Sequence, residues 1–282
     1  MFKTLLTLLI LFVFLVNKKT NMETFVTKKY IAFRGSLGKY GLSHHKSNLK
    51  RFILKADELN KILIIPTFVL HKKHNNGKEI ISNLSKYIDY DNVLLNGKKI
   101  KIITDTINIP ENNILVFNLN KLQREIIGDK GLINFHPQFK SKKKEIIFHN
   151  PKEIINLADQ MKLKLKNYSC VHIRRNDRNN KKIDIYTKSD NIIKKLKEIN
   201  SPKTVYIMTD EKNINIFKKI SDFYNVKYYF DFEELKKIKQ QDNYYLFQIE
   251  NEIMSNSNKR ISTFKTKKSY YHNYLVNKHG FQ

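Results

Sequence analysis

The sequence predicts an α/β fold built from two Rossmann-like halves, and three observations predict it. Short apolar runs, clearest at Tyr168–Ile173 and Thr204–Thr209, alternate with segments whose apolar positions recur at helical spacing. Strands separated by crossover helices of roughly 10–15 residues pair in parallel. The chain has 282 residues, which suits two domains of roughly 100–150 residues each. The expected division is 22–150 and 151–282, with residues 1–21 set apart as a targeting segment.

Taken in order, Tyr30–Phe33 reads as a short strand, followed by a loop that holds Gly35, Gly38 and Gly41. Ser47–Asn60 reads as a helix, because Leu49, Phe52, Ile53, Ala56 and Leu59 share one face. Lys61–Phe68 reads as a buried strand ending at Pro66. Ile80–Leu95 reads as mixed short helix and loop. Lys99–Thr104 and Ile114–Leu119 read as strands, and Asn120–Ile127 as a short helix. Residues 129–150, with the charge run Ser141–Lys144 at their centre, lack periodicity and read as an interdomain stretch.

The second half alternates more clearly. Pro151–Leu165 reads as a helix with Ile154, Ile155, Ala158, Met161 and Leu165 on one face. Tyr168–Ile173 is a strand, Asp190–Ile199 a helix and Thr204–Thr209 a strand. Lys212–Phe223 reads as a helix and Val226–Phe230 as a strand. Asp242–Ser255 reads as a helix, Arg260–Phe264 as a strand and Lys268–Lys278 as a helix. Paired halves of this kind, with a cleft between them, bind ligands at the carboxyl ends of their strands.

The composition excludes several classes. Hydrophobic residues make up 41% and charged residues 28%, so the chain can bury real cores and is not a disordered composition. A single cysteine, Cys170, excludes an intrachain disulfide framework and a cysteine-rich zinc module. Lys plus Arg is 53 against 26 acids, a formal charge of +27. Such a field attracts polyanions. Yet 46 of the basic residues are Lys and only 7 are Arg, and Ile and Asn are abundant too. These three residues share A/T-rich codons and are scattered along the chain, so base composition accounts for much of the charge. Nucleic acid is therefore not the expected partner.

Residues 4–16 (TLLTLLILFVFLV) form an apolar run flanked by Lys3 and by Lys18 and Lys19. The run is shorter than the roughly 20 residues that span a bilayer comfortably. It fits a signal-peptide core or a signal anchor. No A-x-A-like cleavage site follows, which favours the anchor and implies a membrane-associated protein of the secretory pathway, in the endoplasmic reticulum or Golgi. The lysines after the run argue for the opposite orientation, so topology stays open.

The densest chemistry lies in Cys170-Val171-His172-Ile173-Arg174-Arg175-Asn176-Asp177-Arg178. An apolar strand runs directly into an imidazole and three guanidiniums, in a chain that otherwise uses Arg sparingly. Guanidinium forks recognise phosphate in a bidentate way that Lys does not. Side chains alternate along a strand, so His172 and Arg174 share a face and Arg175 points the other way until the strand ends. Such a group at a strand end can hold a pyrophosphate and neutralise charge on a departing phosphate. The plainer alternative is an Arg pair engaged in salt bridges with Asp177 and Asp184.

This run resembles the His-x-Arg-Arg segment of the protein O-fucosyltransferase and α1,6-fucosyltransferase group. Other segments resemble that group in the same order: Gly35–Leu42, Leu59–Pro66, Leu84–Asp91, Tyr206–Glu211 and Glu250–Phe264. The resemblance spans residues 30 to 270. It implies the GT-B fold, two Rossmann-like domains facing across a cleft, with the acceptor side in 22–150 and the nucleotide sugar in 151–282. It implies fucose transfer from GDP-fucose, with inversion, to a protein or glycan hydroxyl. It implies no metal and no cofactor beyond the donor substrate. Arg174 would bind the β-phosphate, with His172 and Arg175 beside it as the catalytic group. Asp177, Asp210, Thr263 and Thr266 would line the donor site, and Glu250 would read the guanine edge. Gly35, Gly38, Gly41, His44 and His45 would form the acceptor-side loop.

The chain departs from the group at named places. Where the group has Ser-Ser, this chain has Lys265-Thr266 followed by Lys267. A glutamate carried by α1,6-type enzymes beyond the Arg pair is absent, and the region holds Lys181, Lys182 and Asp184, which leaves the catalytic base unassigned. A second reading follows from these changes: a GT-B protein that has lost catalysis and binds polyanions such as nucleic acid or sulfated glycan. Asp89-Tyr90-Asp91 has the D-x-D form of a metal-nucleotide site, but lies in a segment that resembles a metal-free part of the group. Cys170, inside the strand, reads as a buried structural thiol.

Overall fold

Tyr168–Ile173 and Thr204–Thr209 carry apolar residues on both faces, so each needs cover on both sides. That is what the chain builds. A computed structural model describes residues 28–34, 38–104, 109–118, 144–175, 184–185, 187–262 and 276–277. The expected helix Asn120–Ile127 lies outside the described residues, as does the leader 1–21. The chain is mixed α/β with several parallel-paired strands, and it divides into two compact units. The first comprises the described residues up to Lys72, Lys78–Ser85 and Asp89–His149, and the second comprises Lys73–Gly77, Lys86–Ile88 and Asn150 onward.

In the first unit, strand β1 (Tyr30–Arg34) leads to β2 (Lys39–Tyr40) and helix α1 (Leu42–Glu58). Strands β3 (Ile62–Ile64), β4 (Phe68–Leu70), β5 (Ile80–Ser82), β6 (Asp89–Leu95) and β7 (Lys98–Lys99) follow. Then come β8 (Ile102–Ile103), β9 (Ile114–Asn118) and β10 (Ile146–His149). A parallel sheet has the order β8-β3-β1-β9, with α1 crossing between β1 and β3. Two three-stranded sheets, β10-β6-β7 and β2-β4-β5, complete the unit.

Four expectations differ from the elements of this unit. Helix α1 begins at Leu42, five residues before the expected Ser47, because buried His45 extends the apolar stripe of Leu42, Leu49, Phe52, Ile53 and Ala56. Lys61–Phe68 is two strands in different sheets. Pro66 has no N–H to continue a ladder, so β3 stops and β4 restarts beyond it. Ile80–Leu95 contains β5 and β6 rather than a helix. Asn96 and Gly97, at φ 50° and 78°, close a two-residue hairpin from β6 into β7, the conformation that Asn-Gly favours. Lys99–Thr104 is likewise divided between β7 and β8.

The second unit runs α2 (Lys152–Leu165), β11 (Tyr168–Ile173), α3 (Ser189–Glu198) and β12 (Thr204–Thr209). A 3-10 helix (Ile214–Asp222) replaces the expected helix Lys212–Phe223. Its buried residues, Phe217 and Ile220, are spaced by three, which is the period of that tighter helix. Strand β13 (Asn225–Lys227) is shorter than expected, because Tyr229–Asp231 forms a 3-10 turn. Helix α4 (Glu233–Gln241), unforeseen in the sequence, leads through Asp242 into α5 (Asn243–Ser255) and β14 (Lys259–Ser262). Val276–Asn277 forms β15, antiparallel to β14, where the sequence suggested the end of a helix.

The sheet order is β13-β12-β11-β14-β15, parallel through its first four strands. Alternation along the strands sorts the core onto two faces. Tyr168, Cys170, Tyr206 and Met208 pack with α2, α4 and α5. Val171, Ile173, Val205, Ile207 and Ile261 pack with α3 and the long 3-10 helix. Two short segments from the N-terminal half belong to this unit. Tyr87, fully buried, donates its hydroxyl to Asp242 Oδ2 at 2.8 Å, and Lys86 Nζ donates to the same oxygen at 2.8 Å. Asp242 Oδ1 caps α5 by accepting the Tyr244 and Tyr245 N–H groups at 3.0 Å.

Candidate functional site

The parallel register aligns the carboxyl ends of three strands in the second unit. Ile173 pairs with Thr209, and His172 with both Met208 and Ser262. His172, Arg174, Arg175, Asp210 and Glu211 therefore gather along one edge of the sheet. His172 is buried within the strand, and its Nδ1 lies 3.3 Å from Ser262 Oγ. It belongs to the face of Cys170, and Arg174 is the first residue past the strand's end.

Arg175 takes the opposite direction and is held on every side. Its backbone N–H donates to Asp210 Oδ1 at 2.6 Å. Nη1 donates to Thr187 Oγ1 at 2.6 Å, and Nη2 lies 2.9 Å from Asp184 Oδ1. Nε is 3.0 Å from Glu211 Oε2, in a bent approach that makes a charge pair rather than a hydrogen bond. The resemblance put this guanidinium beside a phosphate. The structure engages it with Glu211, Asp184 and Thr187, so the ion pair with Asp184 that the sequence offered as the plainer alternative is present. The alternative's other partner, Asp177, lies outside the described residues, as do Thr263, Thr266 and Gly35.

Glu250 sits on the face of α5 that packs into the core. It is 7% exposed, and Tyr206 donates its hydroxyl to Oε1 at 2.8 Å. Burial pushes its carboxyl up to about 7, against the opposing pull of the Tyr206 bond and of Lys239. The expected reader of a guanine edge is thus placed inside the unit, where it is already bonded. Lys239, on α4, was not singled out by the sequence. Its Nζ donates to Asn243 Oδ1 at 2.6 Å and stands 5.7 Å from the centre of the Tyr229 ring. Burial lowers its amine, and the charges of Glu250 and Asp210 oppose that shift. Only an Asn four residues on, at helical spacing, could have flagged it.

In the first unit, Gly38 has a φ of +76°, and a Cβ there would come within 3.0 Å of the Tyr40 ring, so glycine suits both the backbone and the space. Gly41 is the residue before α1, in an ordinary extended conformation. His44 and His45, expected in a loop, lie in the first turn of α1. His45 is fully buried, donates Nε2–H to the Val69 carbonyl at 2.9 Å and stacks edge-on with Phe68. Burial lowers its pKa and His44 adds to the effect, so it packs as a neutral core residue rather than as a loop ligand.

Among the described residues, no three His, Cys, Asp or Glu side chains gather as a metal-binding group. Asp89 accepts the Asp91 N–H at 3.1 Å and the Asn92 amide at 2.6 Å, which uses the D-x-D carboxylate locally. Cys170 is fully buried and burial drives its thiol well up. No described helix is long and apolar enough to cross a membrane.

No family model matches the chain, and no curated protein does. Among solved structures, the chain is similar to one titled "Crystal structure of POFUT1 in complex with GDP (High resolution dataset)", at 10% identity over 84% of this chain and 98% of that one. The TM-score is 0.41, too low for the likeness to carry any argument about function.

Proposed function

We propose that the chain is a metal-independent, inverting glycosyltransferase of GT-B type that moves a sugar, fucose from GDP-fucose by the sequence resemblance, onto a protein or glycan hydroxyl. One observation carries the reading. A buried imidazole and two guanidiniums lie at the carboxyl edge of a parallel sheet, where α/β folds bind their ligands. Departure of a nucleoside diphosphate builds negative charge on its β-phosphate, and positive side chains fixed in advance lower that barrier. In this reading Arg174 meets the phosphate. His172, tied to Ser262, borders it, and Arg175 secures the loop from which Arg174 projects. Attachment to a secretory-pathway membrane through residues 1–21 is part of the same proposal.

The test is thermal stabilisation of the full chain by GDP, GDP-fucose, GDP-mannose and UDP-sugars, with Arg174→Ala alongside. A ligand that binds only the folded state raises its stability by mass action. Selective stabilisation by GDP and GDP-fucose that disappears in Arg174→Ala is the expected result. Stabilisation by heparin or DNA with none by any nucleotide would overturn the enzyme reading in favour of a polyanion binder.

A further inference from the structure

The second unit carries a cation that the resemblance does not include. Strand β14 is parallel to β11, and α5 leads into β14. Helix α5 therefore runs against the strands. Its last turn lies at their amino ends, where the Tyr168 hydroxyl donates to the Ile253 carbonyl at 2.6 Å. Its first residue, Asn243, lies at their carboxyl ends. Lys239 is anchored to Asn243 across 2.6 Å, which brings its amine to the same edge as Arg174 and Asp210. Helix α4 packs on the sheet face of Cys170 and Tyr206. His172 continues that face and Arg174 follows just past the strand's end, whereas Arg175 is bonded to Thr187.

We infer that Lys239 is an anion-binding residue of this edge, taking up phosphate charge together with Arg174. The inference rests on the nucleotide-sugar reading for its biological ligand, although the chemistry it names, a diphosphate, is broader. The Arg175 guanidinium is engaged by Glu211 and Asp184, so the phosphate charge calls for a cation besides Arg174. Lys239 has a flexible stem and three ammonium donors, so it can keep Asn243 while donating to an incoming oxygen. The Tyr229 ring, 5.7 Å from the amine, adds a cation–π contact that favours the charged ammonium at this place. Burial has already lowered its amine, and a bound phosphate reverses that shift.

The experiment compares Lys239→Gln, which keeps a donor for Asn243, and Lys239→Arg, which keeps the charge, with the wild-type full chain. Calorimetry measures binding of inorganic pyrophosphate and of GDP at several salt concentrations. The expected result is about tenfold weaker binding of both ligands to Lys239→Gln, the scale of one lost charge-assisted contact, with a shallower salt dependence. Lys239→Arg should stay close to wild type. Equal pyrophosphate affinity in Lys239→Gln and wild type overturns the inference, as does a wild type that binds no pyrophosphate. Binding of pyrophosphate that depends on Lys239, with no preference for GDP over it, upholds the anion site while overturning the nucleotide-sugar reading.

Discussion

The backbone N–H of Arg175 donates to Asp210 Oδ1 at 2.6 Å. That bond ties the residue two past the end of β11 to the residue just past β12, so the starts of the two connections are joined at the sheet edge. The Arg175 side chain completes the tie through Thr187, Asp184 and Glu211. Arg175 thus joins the strand ends, while its neighbour Arg174 is the residue proposed to meet the ligand.

The division predicts opposite behaviour for the two substitutions. Arg175→Ala leaves Glu211, whose side chain is 13% exposed, without its cation, and should cost about 3 kcal/mol of stability. Arg174→Ala should cost about 1 kcal/mol or less and abolish nucleotide binding. Urea unfolding read beside GDP titration separates the two. Equal stability loss in both variants would refute the division.

Asp242 predicts a second dependence. Its carboxylate caps α5 with two backbone bonds and receives Lys86 and Tyr87. Asp242→Ala should destabilise the full chain by about 3–5 kcal/mol, since it removes the cap and leaves buried donors unpaired. Asp242→Asn keeps an acceptor for the cap and should lose roughly half as much. Tyr87→Phe should cost about 1 kcal/mol. Denaturant midpoints that rank otherwise would show that the 86–88 segment is held by packing alone.

How much of this could be read from the sequence depends on whether the signal was local. Tyr168–Ile173 and Thr204–Thr209 were legible to the residue, because six-residue runs rich in aromatic and β-branched residues are too short for a helix and favour a buried strand. The placement of His172, Arg174 and Arg175 at a strand end followed from the same runs. Helix α4 was not legible: Leu235 is its only buried residue, so there is no apolar stripe to detect, and Lys239 was lost with it. The Asn96-Gly97 hairpin was legible but masked by the mixed pattern of Ile80–Leu95. The pairing of Arg175 with Glu211, and of Tyr206 with Glu250, joins residues 36 and 44 positions apart, which periodicity cannot see.

Cys170 should be silent to thiol reagents in the folded chain. Its sulfur is fully buried, and burial with the neighbouring Glu250 charge drives the thiol well above its ordinary value. Labelling with a disulfide reagent should follow global unfolding, rising in rate with urea in step with the unfolding transition. Fast stoichiometric labelling in native buffer would show that the β11 core opens locally.

Glu250 makes the stability of the second unit depend on pH. Its carboxyl ionises near about 4.3 when the chain is unfolded and is pushed up to about 7 in the fold, chiefly by burial. Folding therefore takes up a proton between those values, and the stabilising contribution of the neutral acid is present below pH 4 and lost as pH rises to 7. The facing groups are Tyr206 from β12, Cys170 from β11, Lys239 from α4 and Tyr229 from the 3-10 turn. Among the described residues, Lys239 offers the compensating positive charge and the Tyr206 hydroxyl donates to the carboxyl. Glu250→Gln keeps an oxygen for Tyr206 and cannot ionise. The variant should match wild type at pH 4.5 and exceed it by about 3 kcal/mol at pH 7.5, measured as the difference in unfolding free energy. A difference that stays flat across that range would mean the carboxylate is solvated in the fold, and Glu250 would then be open to a ligand after all.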